Sequence, residues 1–540
     1  MISFFSALIL FGGFYDWSVA FIAILMIAEI FWRYRKGKPI FRREKNYFLL
    51  IPVILFLWMI LVSFWAVDYA ENLLGVLRGA ALLLFLYLSF QMEEEEKERI
   101  FTLLPYFAVG MTVIGLLSLL HENAMSYFWK AGRFGGFFQY ANTCALFLLI
   151  AIILLTDRLF QVPGKGRKKV IDITAVGILF VGIMLTGSRS VFILLLFFGI
   201  YRCITNKKLR IPFAVTISGF LAIAYGYMMI AGDRQNIARI FTIFSSNSTL
   251  FGRILYDLDA ISILLSHPFG LGYMGYYYIQ PSVQTGVYTT RFVHNDLLQA
   301  GVDYGVVAII LILLYLGYQI IKGNQDKRKK EILIMILAAS LVDFHLQYLG
   351  MLMLLLLCCD LGEKKETKKK KELRENYIFL TGAGLFFLYI SIACFAHYRG
   401  NNDRALLLFP DYTEAQIEKM ISAEGKEEAT GLADSILSHN RYVADAHRIK
   451  AYVALMDGDY ISATEEMDQA VSLKKYDITI YQEYDGLLDN MIALCENIND
   501  IQGEEKLLQK KEELPERLKA LEETTSPIAF KLRDKPKFTW

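Results

Sequence analysis

Residues 251–305, FGRILYDLDAISILLSHPFGLGYMGYYYIQPSVQTGVYTTRFVHNDLLQAGVDYG, place a long polar stretch between apolar segments. The stretch contains Arg253, Arg291, His294, Asn295, Gly270 and Gly272. Binding and catalytic residues are often found in the connections between spans, and a long polar connection of this kind is rarely kept without a function. We therefore expect this stretch to form most of a binding or active site.

The composition predicts an all-α, polytopic transmembrane helical bundle. Of the 540 residues 55% are hydrophobic and 20% are charged, which is too apolar for a soluble domain of this size. Apolar stretches of about 20 residues follow one another, and each could cross a bilayer as a helix. We expect about 12 spans, with the apolar start at Met1 retained as membrane structure.

The predicted spans lie near residues 15–32, 46–67, 71–90, 99–120, 137–156, 170–187, 190–203, 210–231, 292–321, 331–360 and 376–396. Residues 331–360 are expected to form two short helices that turn at residues 343–345. Residues 1–32 are expected to form either one span after a half-helix or a short hairpin, because Gly12 and Gly13 interrupt the apolar run.

Lysine and arginine are concentrated at alternate ends of these spans, in residues 33–45, 157–169, 202–210, 322–330 and 361–375. The positive-inside rule makes these loops cytoplasmic. The opposite connections, with a large loop at about 232–291, are then external. We expect a multi-pass protein of the cytoplasmic membrane whose C-terminal domain is extracytoplasmic.

The predicted domain boundary falls where the composition changes. Residues 1–396 form the membrane domain, and residues 397–540 are rich in Glu, Lys, Ala and Leu with helical periodicity. Ala429, Ala433, Leu437 and Tyr442 match Ala463, Met467, Val471 and Tyr476 at an offset of 34 residues. This pattern predicts a tetratricopeptide-like domain, which either binds a protein partner or caps the membrane domain.

The sequence lacks the motifs that are typical of several classes of enzyme chemistry. The chain has no glycine-rich loop for ATP, no dinucleotide fingerprint and no His/Cys spacing typical of zinc. The six cysteines lie mostly in apolar segments, where they are expected to fill space. Asp257 and Asp259 spell a D-x-D sequence, but a helical, external position makes a nucleotide-sugar metal site a poor interpretation. We expect no metal and no cofactor.

Five arginines lie where the positive-inside bias disfavours them: Arg78, Arg133, Arg189, Arg253 and Arg291. An always-charged planar guanidinium suits phosphate oxygens, so several arginines facing one cavity would suit a diphosphate. Each could instead pair with a carboxylate such as Asp68, Glu71, Asp257 or Asp303. Both interpretations stay open for any single arginine.

His294 precedes a predicted span and is a candidate general base, because a neutral imidazole can accept a proton from a sugar hydroxyl. It could equally be a helix cap. His345, beside Asp343, could reach the same site or close its turn. Gly270 and Gly272 would let the backbone approach a neighbour closely or simply turn. Tyrosines at positions 273 and 276–278 form either a membrane-interface belt or a platform for a sugar ring.

Four short motifs then occur in order: GRFGG with YAN in 132–142, TGSRS at 186–190, Arg253 with HPFGLG at 267–272, and HNDLLQ with DYG in 294–305. On these motifs the chain resembles the O-antigen ligase and polymerase superfamily of bacterial envelope glycosyltransferases over about residues 1–396. It departs from that family at Asp303, where Glu is more frequent, and at Ala141, where proline commonly precedes Asn142.

The resemblance implies a GT-C-like membrane glycosyltransferase that uses neither metal nor nucleotide. Its donor would be a glycan on undecaprenyl diphosphate, and its acceptor a hydroxyl of a glycan, a lipid or a protein. His294 would be the general base, and Arg189 and Arg253 would neutralise the diphosphate.

Further roles follow from the same resemblance. Arg133, Arg78 and Arg291 are additional candidates for the diphosphate. The orienting residues would be Asn142, Asn295, Gly270, Gly272 and His345. Because residues 251–305 hold only part of this set, we expect Arg133, Asn142 and Arg189 to fold back towards it.

Three functions remain open from the sequence. The first is the transferase, acting as a polymerase, a ligase or a protein O-oligosaccharyltransferase. The second is a transporter or flippase of lipid-linked sugars, although the chain shows no two-fold repeat typical of transporters. The third is a scaffold or receptor that acts through the external tail.

Overall fold

The structure, a computed structural model, describes residues 1–38, 40–43, 47–161, 166–207, 218, 248–323, 326–367 and 371–540. In these residues it is almost wholly α-helical, which confirms the predicted class. Two small antiparallel sheets interrupt the helices. One pairs β1 (Ile40–Arg43) with β4 (Lys364–Thr367), and the other pairs β2 (Trp129–Lys130) with β3 (Arg133–Phe134).

The helices up to the first long undescribed segment are α1 (Ile2–Ile9), α2 (Asp16–Arg35), α3 (Ile51–Val62), α4 (Tyr69–Gln91), α5 (Glu94–Leu117), α6 (Glu122–Phe128), α7 (Ala141–Gln161), α8 (Arg167–Thr186) and α9 (Arg189–Thr205). The predicted interruption at Gly12 and Gly13 separates α1 from α2, and the two helices pack against each other. Both alternatives, a half-helix before one span and a short hairpin, fit this arrangement. The predicted span at 210–231 lies outside the described residues, apart from position 218.

The helices after that segment are α10 (Ser248–Ser266), α11 (Gly275–Val283), α12 (Asp296–Tyr318), α13 (Lys327–Ser340), α14 (Leu349–Leu357) and α15 (Lys371–Tyr398). The tail adds α16 (Asn402–Leu408), α17 (Thr413–Ser422), α18 (Lys426–His439), α19 (Ala444–Met456), α20 (Tyr460–Leu473), α21 (Ile478–Ile498) and α22 (Ile501–Thr524). The predicted turn at 343–345 is confirmed, since it separates α13 from α14.

Several of these helices identify a multi-pass membrane protein. Among the described residues, seven are long and apolar enough to cross a membrane: Asp16–Arg35, Tyr69–Gln91, Glu94–Leu120, Ala141–Leu159, Arg167–Thr186, Asp296–Gly323 and Tyr377–Tyr398. The predicted total of about 12 spans stays a prediction. In the spans predicted near 46–67 and 292–321, α3 begins at Ile51, directly after a 3-10 helix at Tyr47–Leu50, and α12 begins at Asp296.

The chain divides into two compact units. The first unit comprises Met1–Val53, Ala80–Ser246 and Ile312–Leu388. Its centre is α7, which is apolar around most of its circumference and therefore buried, as expected for a helix surrounded by others. Helices α5, α8, α9 and α13 pack around it.

Ion pairs in the first unit join the predicted cytoplasmic ends of its helices. The Arg33 guanidinium lies 3.0 Å from Glu96, and Arg202 lies 2.6 Å from Asp157 and 2.5 Å from Glu331. All five residues fall on the predicted inner side. These contacts agree with the predicted alternation of loops, whose orientation in the membrane stays a prediction.

The second unit comprises Ile54–Gly79, Asn247–Leu311 and Tyr389–Trp540. Its membrane-domain part is organised by a backbone contact between the HPFGLG segment and a kink in α12. Gly305 at the kink has φ +77°, and the Val306 amide donates to the Pro268 carbonyl oxygen at 2.9 Å. The Gly272 amide donates to the Asp303 carbonyl oxygen at 2.8 Å. The two predicted glycines thus bring two stretches of backbone close together.

Gly270 is expected to tolerate no side chain. Its φ is +88°, and a Cβ atom would lie 2.5 Å from the Asp303 carbonyl oxygen. Gly270→Ala should destabilise the unit by about 2–5 kcal/mol, combining left-handed backbone strain with overpacking. The measurement is the thermal midpoint of the purified protein in detergent. Gly431→Ala, at a helical position with open space around it, is the control and should leave the midpoint almost unchanged; equal midpoints for both variants would refute the close packing.

The tail helices repeat at the predicted offset. Helix α18 spans Lys426–His439 and α20 spans Tyr460–Leu473, so both ends differ by 34 residues. Helix α19 begins at Ala444 and α21 at Ile478, again 34 residues apart. Ala433 in α18 and Met467 in α20 are both buried at matching positions. The tetratricopeptide assignment and the domain boundary at 396/397 stay predictions.

Candidate functional site

One face of α10 packs beside His294 in the second unit. Arg253, Tyr256 and Asp257 lie three and four residues apart, a spacing that places them on one side of a helix. The Tyr256 ring centroid is 5.6 Å from that of His294. His294 lies in the turn just before α12 and is partly buried. The structure therefore brings together Arg253 and His294, the two residues predicted to carry the chemistry.

Asp257 is the carboxylate of this cluster. Burial raises the pKa of its carboxyl to about 6, while nearby His294 and Arg253 and a hydrogen bond from Asn295 act in the opposite direction. A carboxylate between an imidazole and a guanidinium can stabilise positive charge on the imidazole. Asp257 is thus suited to support a histidine that accepts a proton.

Asn295 holds this arrangement at the N-terminus of α12. Its Oδ1 atom accepts hydrogen bonds from the Leu297 amide at 3.1 Å and the Leu298 amide at 3.2 Å, as a helix N-cap does. Its side chain also hydrogen-bonds Asp257. Asn295, a predicted orienting residue, thus has a specific hydrogen-bond partner, the Asp257 carboxylate beside His294.

A second set of hydrogen bonds fixes the backbone just before His294. The Val293 amide donates to Gln299 Oε1 at 2.6 Å, and Gln299 Nε2 donates to Asp303 Oδ1 at 2.9 Å. Gln299 and Asp303 are buried. Asn295, just before α12, and Gln299 and Asp303 within it are spaced four residues apart, so their side chains lie on one side of the helix. This face positions the turn that carries His294.

Two predicted diphosphate ligands in the second unit have protein contacts of their own. The Arg291 guanidinium lies 2.6 Å from the Glu414 carboxylate of the tail. The Arg78 guanidinium lies over the Tyr273 ring, 5.3 Å from its centroid. A diphosphate would compete with Glu414 for Arg291.

The tyrosines after HPFGLG are mostly interior. Tyr273, Tyr276 and Tyr278 are at most 5% exposed, whereas Tyr277 is 39% exposed. A membrane-interface belt presents its rings to lipid and water. The belt interpretation is therefore wrong for three of the four tyrosines, which are part of the packing of the unit.

The first unit assembles the other predicted site residues around Asn142. The Arg133 guanidinium donates to Asn142 Oδ1 at 2.7 Å and to the Thr186 carbonyl oxygen at 2.7 Å. Asn142 Nδ2 donates to the buried Asp343 carboxylate at 2.6 Å. The first two motifs and the 343–345 turn are thus joined by one polar network.

Arg189 and His345 occupy defined positions in the same unit. Arg189 is the first residue of α9 and follows Gly187, whose φ of +59° ends α8. His345 is fully buried, and its Nδ1 atom is 3.0 Å from Thr143 Oγ1. The predicted convergence of Arg133, Asn142 and Arg189 with His294 stays a prediction.

Three residues of these clusters have no predicted role in the site. The sequence gives Asp257 only as a metal ligand or an ion-pair partner, and Asp343 only as a neighbour of His345. It assigns no role to Tyr256. The four-residue spacing from Arg253 to Asp257 places both side chains on one face of a helix, so the sequence alone could have predicted that they lie close together. No local signal pairs Asp343 with Asn142, since 201 residues separate them.

Asp259 is the second aspartate of the D-x-D sequence. Among the described residues, no group of three or more His, Cys, Asp or Glu side chains is arranged so that it could hold a metal ion. Asp259 instead fixes the loop before His294. Its carboxylate accepts hydrogen bonds from the Thr285 amide at 2.9 Å, the Thr285 hydroxyl at 2.8 Å and the Tyr288 hydroxyl at 2.7 Å.

Comparison with known proteins gives one match. A protein-family model described as O-antigen ligase matches residues 174–313. The matched range contains Arg189, Arg253 and His294. No curated protein and no solved structure matches the chain.

Proposed function

We propose that the protein is a membrane glycosyltransferase of the O-antigen ligase and polymerase superfamily, which acts in surface polysaccharide biosynthesis. The O-antigen ligase family model that matches residues 174–313 supports this proposal. It transfers a glycan from undecaprenyl diphosphate to an acceptor hydroxyl at the outer face of the cytoplasmic membrane. The observation that supports this most is the cluster of His294, Asp257 and Arg253 inside the matched domain.

The proposed reaction is a displacement at the anomeric carbon of the donor. The acceptor oxygen forms a bond to that carbon as His294 takes the hydroxyl proton, and the bond from carbon to the diphosphate oxygen breaks. Arg253 neutralises the charge that develops on the diphosphate, and Arg189 is proposed to do the same. Asp257 stabilises the imidazolium until its proton is released to water.

The remaining residues have supporting roles in this proposal. Arg133, Arg78 and Arg291 are further diphosphate ligands, with Arg291 available only when it leaves Glu414. Asn295 orients Asp257, Asn142 orients Arg133, and Gly270 and Gly272 shape the backbone against α12. His345 supports the turn of Asp343. The lipid diphosphate is already an activated donor, so the reaction is proposed to need neither a metal nor a nucleotide.

Contacts within the second unit support the proposed external position of the tail. Asp68 Oδ2, in the turn before α4, accepts hydrogen bonds from Thr413 at 2.6 Å and from Asn440 at 2.9 Å. The Ser526 amide of the tail donates to the Thr285 carbonyl oxygen at 2.8 Å. The positive-inside rule assigns both membrane-domain segments to the outside, so the tail would share that side.

The reaction is tested with the purified full-length protein in lipid nanodiscs. It receives a glycan linked to undecaprenyl diphosphate and an acceptor oligosaccharide from the same organism. Release of undecaprenyl diphosphate together with a longer glycan is expected. Transfer to a protein instead would assign the O-oligosaccharyltransferase alternative, whereas movement of intact lipid-linked glycan across the bilayer without release would favour a flippase and refute the proposal.

Asp257→Asn should lower the rate and flatten its pH dependence. The wild-type carboxyl takes up a proton below about pH 6, because burial raises its pKa to about 6, and it then no longer stabilises the imidazolium. The wild-type rate should therefore fall on acidification, since Asp257 loses its negative charge.

The asparagine side chain is neutral at every pH, so the contribution of Asp257 to the pH dependence is absent from the variant. We expect a rate about tenfold lower at pH 7.5 and a shallower acid limb. The measurement is kcat/KM between pH 5 and 8. An unchanged pH profile in the variant would show that the Asp257 charge does not assist the base.

A further inference from the structure

A cavity of about 590 Å³ lies in the second unit between residues 277–290 and the turns of the tail helices. We call it the tail cavity. Its walls include Tyr277, Tyr288, Tyr442, Tyr476, Gln280 and Gln284. The volume is within the range of about 300–1,000 Å³ typical of small-molecule sites. The proposed reaction centre around His294 does not include these residues.

The wall chemistry matches a saccharide. Aromatic rings pack against the apolar CH faces of sugars, and carboxamides both donate to and accept from sugar hydroxyls. Gln280 and Gln284 are 2% and 6% exposed, and the Gln280 amide donates to Gln284 Oε1. The hydrogen bond between the two glutamines fixes the orientation of both side-chain amides. These buried amides, beside several tyrosine rings, form a preorganised polar site.

The charges around the tail cavity are largely balanced. Lys474 lies 2.9 Å from Asp445, and both line the wall. The Asp477 carboxylate accepts hydrogen bonds from the Thr479 amide at 3.1 Å and hydroxyl at 2.6 Å. Lys535 and Lys537 add positive charge at the rim. A neutral or acidic saccharide fits this distribution better than a strongly basic ligand.

A row of aromatic rings joins the tail cavity to the candidate base. The ring centroid of Tyr288, a wall residue, is 4.3 Å from that of Tyr256, and Tyr256 is 5.6 Å from His294. An acceptor whose terminal hydroxyl reaches His294 must place its remaining sugars nearby. The cavity two rings away offers that space.

We propose that the tail cavity binds the sugar units of the acceptor chain that lie beyond the reacting one. This inference rests on the proposed transferase function and adds the acceptor subsite to it. Helical-repeat domains commonly bind partners on the extended concave surface of their stacked repeats. Here the ligase domain itself supplies one wall, including Tyr277, Gln280 and Tyr288, which connects the occupant to the reaction.

The test measures binding separately from transfer. Oligosaccharides released from the surface polysaccharide of the same organism are titrated onto the full-length protein by calorimetry. Tyr277→Ala and Tyr442→Ala should each weaken binding about tenfold, whereas Tyr277→Phe keeps the ring and should bind nearly as wild type. In turnover assays Tyr277→Ala should raise the KM for the acceptor without changing kcat or the KM for the donor.

The matched control is Tyr452→Ala, because Tyr452 is 38% exposed, close to the 39% of Tyr277, and does not line the cavity. His294→Ala should bind the oligosaccharide normally. Tyrosine-dependent binding without any transfer would support the subsite while refuting the proposed reaction. Normal binding and turnover in both alanine variants, or tyrosine-dependent binding of envelope-protein peptides in place of saccharides, would overturn the subsite.

Discussion

His294→Ala is expected to lower the rate of undecaprenyl-diphosphate release by 10²- to 10⁴-fold, about the contribution of a general base. The imidazole lies against Tyr256 and beside Asp257, and the Gln299 network fixes the turn that presents it. Alanine removes the proton acceptor but leaves these neighbours in place. Binding of the lipid-linked donor should therefore change little.

A glycine substitution at position 294 tests whether the imidazole acts as a base or only supports the local structure. His294→Gly leaves space for added imidazole, which should restore part of the lost rate if the ring serves as a base. His267→Ala is the control, since this exposed histidine also lies in the 251–305 stretch and should retain wild-type activity. An alanine variant at position 294 that keeps more than about a tenth of the activity would contradict the assigned role.

Arg253→Ala is expected to lower kcat/KM for the donor by about 10²- to 10³-fold, the usual cost of removing a group that stabilises developing charge. The guanidinium lies on the same face of α10 as Asp257, one helical turn before it. Arg253→Lys retains the charge without the planar fork and should recover only part of the rate. The measurement is steady-state kinetics with the donor concentration varied.

Product inhibition tests whether Arg253 contacts the diphosphate leaving group. Undecaprenyl diphosphate should inhibit Arg253→Ala much more weakly than the wild type, while its inhibition constant for His294→Ala should be unchanged. Arg404→Ala, at an exposed position on α16, is the control. If Arg253→Ala raised only the KM of the acceptor, the arginine would hold the acceptor or Asp257 and not the leaving group.

The partner of Arg291 could not be predicted from the sequence. Its location in an external, polar stretch predicted either a phosphate ligand or a carboxylate partner. The structure pairs it with Glu414, 123 residues later in the chain, which was not among the predicted partners. Burial by itself raises the pKa of the Glu414 carboxyl, but the Arg291 charge together with His397 outweighs it and holds the pKa below its usual value, so this ion pair is maintained at neutral pH.

The sequence by itself determined the helical membrane class, the turn at 343–345, the 34-residue spacing of tail helices and the motifs that contain Arg253 and His294. Each of these features depends on periodicity, turn residues or composition within one stretch of sequence, so it can be predicted without knowing the contacts of that stretch. Only the tertiary structure decided that Asp257 lies beside His294, that Asn142 binds Asp343 and that tail turns and residues 277–290 enclose a cavity. Such contacts join residues far apart in the chain, and their formation depends on how whole helices pack rather than on any local pattern.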